Sequence, residues 1–270
     1  MGFIENITSS SRKANSLVCV GLDTDPAKIP AFLMGEDDGV LRFNKDIIKA
    51  TSDMVCAYKP NAAFYEAMGS SGLDILEKTC DAVPDSIPVI LDVKRGDIGN
   101  TAEQYATAAY DIVGADAVTV NPYMGFDAIR PFLRDGKGVF VLCLTSNKTA
   151  EDFQLLDTGS GPLYQRVAKT AREWAKEGEI GLVVGATRPE VFEQIREIVG
   201  DLPILVPGIG AQGGDIEGVV TRCGSEFGLT IINSSRGILY ASGGEDFAEA
   251  ARIKLIELNT SINKHRSDKT

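Results

Sequence analysis

The stretch IPVILDVKRGD, residues 87–97, is the part of the sequence that decides the fold. A short apolar run ends here in Asp92, Lys94 and Asp97, so charges follow directly on a segment with the composition of a buried strand. If the segment is a strand, Asp92 and Lys94 share one face because side chains alternate. Burying opposite charges costs desolvation, so the pair indicates either a structural salt bridge or a chemical site. This segment alone leaves both interpretations open.

Further apolar, β-branched runs lie on either side of this one, and successive runs begin 22 to 41 residues apart. Such spacing is typical of repeated βα units, and near-continuous hydrophobicity is typical of strands buried on both faces of a parallel sheet. The predicted strands are Leu17–Leu22, Met54–Lys59, Val89–Val93, Ala117–Asn121, Val139–Leu144, Ile180–Val184, Ile204–Val206 and Leu229–Asn233. Eight βα units in 270 residues predict a single (β/α)8 TIM barrel.

The alternative α/β architecture is a doubly wound open sheet. It is disfavoured because no GxGxxG motif follows the first strand, where GLDTDP stands at residues 21–26. No linker, low-complexity tract or internal repeat divides the chain. We therefore predict one domain over residues 1–270, with a last helix at Asp246–Leu258 and residues 259–270 as a frayed C-terminal tail.

Composition excludes several classes of function. A net charge of -11 argues against nonspecific nucleic-acid binding, which needs clustered Lys and Arg. The first residues lack the layout of a signal peptide, and no apolar run approaches about 18 residues, so we expect a cytoplasmic protein without a membrane partner. The five cysteines form no CxxC pair and are expected to be free thiols. The single histidine, His265, lies in the polar tail, which nearly excludes His-based triads and His-ligated zinc.

In a TIM barrel the active site lies at the carboxyl ends of the strands, so the residues that close each run are the candidates. Many strand ends are polar simply because they reach water. However, the charged residues Lys59, Asp92, Lys94 and Asp97 come from adjacent units, so their signs can alternate in space. The strand ends comprise Asp23, Lys59, Asp92 with Lys94, Asn121, Ser146, Arg188, Gln212 and Arg236.

Two later segments have the composition of an anion site. PGIGAQGG, residues 207–214, follows the seventh strand, and its glycines (Gly210 and Gly213 among them) allow close approach of the backbone to a ligand. NSSRG, residues 233–237, follows the eighth strand and supplies Arg236. Loops after strands seven and eight form the usual phosphate site of this fold. The alternative is a pair of flexible turns.

These motifs resemble the orotidine 5′-phosphate decarboxylase family, in particular its longer bacterial form. The resemblance extends from Val18 to about Tyr240. It rests on DVKRGDIGNT at residues 92–101, VPGIGAQGG at 206–214 and NSSRG at 233–237.

The resemblance implies decarboxylation of orotidine 5′-phosphate to UMP and CO₂, with neither a metal nor an organic cofactor. It makes Lys59, Asp92, Lys94 and Asp97 the catalytic charge array, with Asp97 and Thr101 contributed to the partner's site across a homodimer interface. It also implies contacts from Asp23 to the ribose, Ser146 to the pyrimidine, Gln212 between base and phosphate loop, and Arg236 to the phosphate. Thr145 and Asn147 flank Ser146 and are alternative ring contacts.

Decarboxylation at C6 leaves a carbanion that no π-system delocalises, so the protein must stabilise it electrostatically. We hypothesise that Lys94 faces this charge and then protonates C6. Two alternatives stay open. One is a sugar-phosphate decarboxylase or aldolase of the same superfamily that holds Mg²⁺ with the Asp-x-Lys-x-x-Asp motif. The other is a catalytically silent sensor of a phosphate ligand.

Overall fold

The computed structural model describes residues 2–209, 215–224 and 226–266. Its strands form one parallel sheet in which sequence neighbours are adjacent, in the order β2-β1-β8-β7-β6-β5-β4-β3. Backbone hydrogen bonds from Tyr58 N to Pro88 O (3.0 Å) and from Asp92 N to Pro60 O (2.9 Å) join the two ends of that order. The TIM barrel is therefore confirmed. The strands are β1 (Val18–Gly21), β2 (Ala57–Lys59), β3 (Ile90–Arg95), β4 (Ala117–Val120), β5 (Gly138–Leu144), β6 (Glu179–Val184), β7 (Ile204–Pro207) and β8 (Thr230–Ser234).

Helices surround the sheet and connect its strands. The α5 helix continues through one π-helical turn at Ala108–Ile112. The helices are α1 (Phe3–Ala14), α2 (Gly39–Thr51), α3 (Ala62–Glu66), α4 (Ser70–Asp81), α5 (Gly99–Thr107), α6 (Phe126–Ile129), α7 (Leu163–Trp174), α8 (Val191–Val199), α9 (Ile216–Cys223), α10 (Arg236–Leu239) and α11 (Phe247–His265). None of these described helices is long and apolar enough to cross a bilayer.

Strand residues alternate between two apolar layers. Ala57 and Ile90 belong to the small cluster inside the barrel, whereas Tyr58 and Leu91 belong to the large cluster between sheet and helices. Both faces of each strand are thus buried, which explains the near-continuous hydrophobicity of the sequence runs. The same alternation places the residue two positions after an inner apolar residue at the barrel mouth.

The base of the barrel is closed by α1, an element that the sequence analysis did not assign. Phe3 and Ile7 enter the inner cluster, and the Phe3 ring packs edge-on against Phe140 with centroids 5.6 Å apart. Gly138 leaves room for this ring, because a Cβ there would lie 2.4 Å from it. The Glu179 carboxylate accepts a 2.6 Å hydrogen bond from Ile4 N in the first turn of the helix. The base is therefore an apolar plug.

The prediction of a frayed tail from residue 259 is wrong for residues 259–265. The last helix continues to His265 because its final turns are anchored. Ile262 is fully buried, and Asn259 donates to Met54 O at 2.9 Å and accepts from the Ser16 hydroxyl at 2.7 Å. The strand predicted at Met54–Lys59 is shorter than expected, since residues 52–54 form a 3₁₀ turn.

Candidate active site

Two lysines share one carboxylate where strands β2 and β3 end. Lys59 Nζ donates to Asp92 Oδ2 at 3.0 Å, and Lys94 Nζ donates to Asp92 Oδ1 at 2.5 Å. Asp23, just beyond β1, places Oδ1 3.7 Å from Lys59 Nζ. Charges of alternating sign therefore follow one another across the mouth. We call Asp23, Lys59, Asp92 and Lys94 the charge array.

The two lysines differ in exposure. The Lys59 side chain is 4% exposed and lies between two carboxylates, whereas the Lys94 side chain is 47% exposed. A ligand above the mouth can therefore reach Lys94 directly. Lys59 instead balances the negative charges of the Asp23 and Asp92 carboxylates.

Mutual attraction keeps the buried members of the array ionised. Burial by itself lowers the pKa of Lys59, but the Asp92 and Asp23 carboxylates outweigh it and hold that pKa above its ordinary value. Burial by itself raises the pKa of Asp92, but Lys59 and Lys94, together with hydrogen bonds to the carboxylate, hold it well below its ordinary value. Lys59 and Asp92 are thus fixed in their charged forms at neutral pH.

The backbone of β3 departs from regular strand geometry at Lys94. Its φ is +47°, a left-handed value that is uncommon outside glycine, and the pairing with β4 shifts register between Leu91 and Arg95. The Thr119 hydroxyl on β4 accepts from the backbone N–H of Val93 and of Lys94 and donates to Asp92. Sequence analysis missed Thr119 because a threonine inside a strand run is ordinary β composition.

A cavity of about 150 Å³ opens over Asp23, Lys59 and Asp92, and polar atoms without a hydrogen-bond partner line it. Asp23 Oδ1 and Asn233 Oδ1 are buried and have no hydrogen-bond partner among the described residues. Asn233 points inward two positions after Ile231, so the alternation on β8 could have identified it. The lining comprises Asp23, Lys59, Asp92, Pro207, Gly208, Ile209, Asn233, Ser235 and Arg236.

Arg236 lies on the β8 side of this cavity. It is exposed, begins α10 and makes no ion pair with a described residue. The loop from β8 approaches β1 closely, because a Cβ on Gly21 would lie 1.9 Å from Ser235 Oγ. Gly210, Gln212 and Gly213, the other predicted residues of the anion site, lie outside the described residues.

Ser146 differs from its polar neighbours in hydrogen bonding. The Thr145 hydroxyl donates to Asn147 Oδ1 at 2.5 Å and interacts with the Gln154 amide, and the Asn147 amide donates to Thr149. Ser146 Oγ is buried and unpartnered among the described residues. It lies against Gly185, where a Cβ would be 2.1 Å away.

The structure does not bring Asp97 and Thr101 to the charge array of their own chain. Asp97 Oδ1 accepts from the Ile98 backbone N–H at 2.8 Å, and it forms no ion pair with a described residue. Thr101 is exposed on α5, and Ile98 beside it is 56% exposed. Across the described residues, no group of three or more His, Cys, Asp or Glu side chains is arranged to hold a metal ion.

Comparison with known proteins identifies the family. The family model of the orotidine 5′-phosphate decarboxylase / HUMPS family matches residues 16–252. The chain belongs to this family. It is 52% identical to the orotidine 5′-phosphate decarboxylase of Dechloromonas aromatica over 271 residues, covering 98% of this chain and 100% of that relative. The family resemblance inferred from the sequence motifs is therefore confirmed.

Solved structures of this family agree in fold. The Leishmania donovani OMP decarboxylase matches with a TM-score of 0.85 and 39% identity, over 98% of this chain and 99% of that one. The Leishmania donovani UMP synthase matches with a TM-score of 0.88 and 40% identity. All of this chain is covered in that match, and it spans 57% of the longer UMP synthase chain.

Proposed function

We propose that this protein decarboxylates orotidine 5′-phosphate to UMP and CO₂ in de novo pyrimidine biosynthesis, without a metal ion or organic cofactor. The observation that carries the proposal is the charge array at the barrel mouth, with one lysine buried beside the cavity and the other half exposed. Membership of the family supports the reaction. The five cysteines, all free and buried, fit a cytoplasmic location.

Lys94 is the group that acts on the reacting carbon. Loss of CO₂ leaves an electron pair on C6, in the plane of the ring, and the Lys94 ammonium stabilises it electrostatically and donates a proton to it. A pair of unit charges about 4 Å apart contributes about 4 kcal/mol at an effective dielectric of about 20, or about three decades in rate. Because this is only part of an enzymatic acceleration, substrate positioning must supply the rest.

Asp92 and Lys59 prepare Lys94 for this step. The Asp92 carboxylate holds the ammonium in place through the 2.5 Å hydrogen bond. Lys59 offsets the negative charge of Asp92 from below, so the carboxylate stays ionised despite burial. The substrate carboxylate next to Asp92 also experiences repulsion, which CO₂ release relieves.

The unpartnered polar atoms indicate how the nucleotide is held. Among the described residues Asp23 Oδ1 accepts no hydrogen bond, so it can accept one from a ribose hydroxyl. Ser146 Oγ is likewise available to the pyrimidine ring, whereas Thr145 and Asn147 are engaged with each other. Arg236 supplies a guanidinium for the phosphate. In the same proposal, Gly210 and Gly213 admit the phosphate and Gln212 links it to the base.

We also propose a homodimer in which Asp97 and Thr101 complete the partner's site. Neither residue reaches the array of its own chain, and the loop that carries Asp97 borders exposed apolar surface. A Cβ on Gly96 would lie 3.3 Å from Asn121 O, and Asn121 and Tyr123 line a neighbouring cavity of about 730 Å³. Tyr123 is 85% exposed, so this side of the mouth has apolar area for a second copy to cover.

Mixing two inactive variants tests the shared site. Lys94→Ala and Asp97→Ala chains, co-refolded in equal amounts, form mixed dimers in which one of the two sites has both side chains. About one quarter of wild-type activity should return, because half of the dimers are mixed and each has one intact site. If Asp97 serves its own chain, the mixture stays as inactive as each variant alone.

The overall reaction is tested by incubating the protein with orotidine 5′-phosphate and EDTA while following pyrimidine absorbance and released CO₂. We expect equal amounts of UMP and CO₂, with a rate that the chelator does not change. Activity lost with EDTA and restored by Mg²⁺ would favour the metal-dependent alternative. Nucleotide binding without CO₂ release would favour the silent sensor.

A further inference from the structure

One buried hydroxyl joins the backbone and the side chains of the proposed catalytic strand. Thr119, on β4, is 1% exposed, and its Oγ1 accepts from Val93 N at 3.1 Å and from Lys94 N at 3.0 Å. The same hydroxyl donates to Asp92 Oδ1 at 2.8 Å. Because Asp92 Oδ1 also accepts from Lys94 Nζ, this one hydroxyl contacts both the main chain that carries Lys94 and the carboxylate that orients its ammonium.

Regular strand pairing cannot make these contacts. The β3–β4 ladder is in register at Ile90 and Leu91, is interrupted at the next three residues, and resumes at Arg95. In a regular strand successive N–H groups point to opposite neighbouring strands, so those of Val93 and Lys94 could not both face β4. The two lone pairs of a hydroxyl oxygen satisfy both donors, which a carbonyl of the regular ladder would not reach.

The hydrogen bonds to the Thr119 hydroxyl stabilise the left-handed backbone conformation of Lys94. A non-glycine residue at φ +47° is strained and persists only where its surroundings enforce it. With its side chain 47% exposed, Lys94 has little packing of its own to provide that enforcement. The hydrogen bonds of Thr119 to Lys94 N and Asp92 Oδ1 supply it instead.

We propose that Thr119 is a positioning residue for the decarboxylation, whose hydroxyl fixes the bulge that aims the Lys94 ammonium at C6. The inference rests on the role of Lys94 given under the proposed function. Thr119 itself lies beneath the charged side chains and does not touch the substrate. Its effect is to keep Asp92 and Lys94 in one relative arrangement before the substrate binds.

Two substitutions separate the hydroxyl from the packing of this side chain. Thr119→Val keeps the shape and the β-branching but removes the hydroxyl, whereas Thr119→Ser keeps the hydroxyl and removes a methyl group. If the hydroxyl positions Lys94, kcat of the Val variant should fall on the order of 10²-fold, as expected for a displaced catalytic group, while the Ser variant stays within about threefold of wild type. KM for orotidine 5′-phosphate and the affinity for UMP should change little in both variants.

Matched variants make the outcome specific. Thr230 on β8 is equally buried, and its hydroxyl donates to Gly224 O at 2.6 Å at the base of the barrel, so Thr230→Val controls for the loss of a buried hydroxyl. It should keep wild-type kcat. Thermal unfolding and UMP titration establish the folded fraction of every variant, and rates are expressed per UMP-binding site.

The opposite ranking overturns the proposal. If Thr119→Val keeps kcat and Thr119→Ser loses it, the side chain acts through packing alone. If Thr119→Val and Thr119→Ser both match wild type while Lys94→Ala is inactive, Thr119 has no positioning role but the proposed function stands. If Lys94→Ala is active, the role of Lys94 itself is wrong, and the Thr119 inference fails with it.

Discussion

The base and the mouth of this barrel are built from the same strands but differ in chemistry. On β2, Ala57 lies in the apolar interior and Lys59 ends the strand in the charge array. On β3, Ile90 and Asp92 repeat that order. The base is closed by aromatic packing of Phe3, while the mouth contains ionised groups and unpartnered polar atoms.

This difference shows how a barrel supports a costly site. Buried charges with incomplete hydrogen bonding destabilise a fold, so the stability must come from elsewhere. The apolar base and the helix-covered outer face supply it, and the mouth is left free to be shaped for chemistry. Changes at the base should therefore affect stability without affecting catalysis, and changes at the mouth should do the reverse unless they unbalance a buried charge.

The largest effect is expected from Asp92→Ala, which combines both kinds of damage. It removes the partner that holds Lys94 and leaves Lys59 buried with Asp23, at 3.7 Å, as its one carboxylate partner among the described residues. We expect kcat to fall by more than about 10³-fold and the free energy of unfolding to fall by about 3–5 kcal/mol. Urea unfolding and steady-state kinetics measure the two losses. Near-wild-type stability would show that Lys59 does not depend on this carboxylate.

Phe3→Ala tests the contribution of the barrel base to stability separately from the mouth. Phe3 is 2% exposed and packs on Phe140, so its truncation should lower the free energy of unfolding by about 3–5 kcal/mol. The value of kcat per folded molecule should not change. Ile256→Ala on the exposed side of α11 is the control and should cost less than about 1 kcal/mol. A fall in kcat with Phe3→Ala would mean that the base and the mouth are coupled.

Arg236→Ala affects only binding at the mouth. Loss of a charge-assisted contact to the phosphate should weaken UMP affinity by about 1.5–3 kcal/mol, or roughly 10- to 100-fold, without destabilising the fold. Arg12→Ala, which removes the same charge from an exposed position of α1 at the base, should leave UMP affinity unchanged. Equal UMP affinity in the two variants would contradict the assignment of Arg236 to the phosphate.

The smallest effect is a difference in pH dependence. The pKa of Asp92 is lowered in the folded state. The ionised carboxylate therefore stabilises the fold fully at pH values above the ordinary pKa of 3.8, and this stabilisation is lost as the pH falls below 3.8. The loss of free energy of unfolding caused by Asp92→Ala should be constant from about pH 5 to pH 9. Below about pH 5 this loss should shrink, by up to about 1.4 kcal/mol per pH unit. The loss of free energy of unfolding caused by Phe3→Ala should not depend on pH. Parallel pH profiles for the two variants would argue against an ionised Asp92.

Much of the fold could be predicted because strands buried on both faces have near-continuous apolar sequences. Each apolar run overlaps one strand of the barrel, and the lysine and aspartates at the run ends meet in space. The α1 plug was not predicted, because its role depends on Gly138, far along the chain, leaving space for Phe3. The length of α11 was underestimated because Asn259 and Ile262 are anchored by tertiary contacts that no local pattern encodes.

The finer details of the site were not predictable for physical reasons. Strand periodicity places Asp92 and Lys94 on one face, but the left-handed backbone at Lys94 arises from pairing with β4. Thr119 and Asn233 are ordinary residues in strand runs. Only the folded arrangement reveals that the Thr119 hydroxyl satisfies three partners and that Asn233 Oδ1 has none among the described residues. The role of Asp97 was not predictable from the strand pattern for another reason, because the site that it is proposed to complete belongs to a second copy of the chain.

The role of Lys94 is tested most directly by single-turnover decarboxylation of orotidine 5′-phosphate by Lys94→Ala, with UMP titration of the same sample. Lys94 is half exposed and Asp92 keeps Lys59, so the variant should fold and bind UMP within about threefold of wild type. If Lys94 stabilises and protonates C6, CO₂ release should slow by at least about 10³-fold. Release within about tenfold of the wild-type rate, from a sample that binds UMP normally, would contradict this role of Lys94.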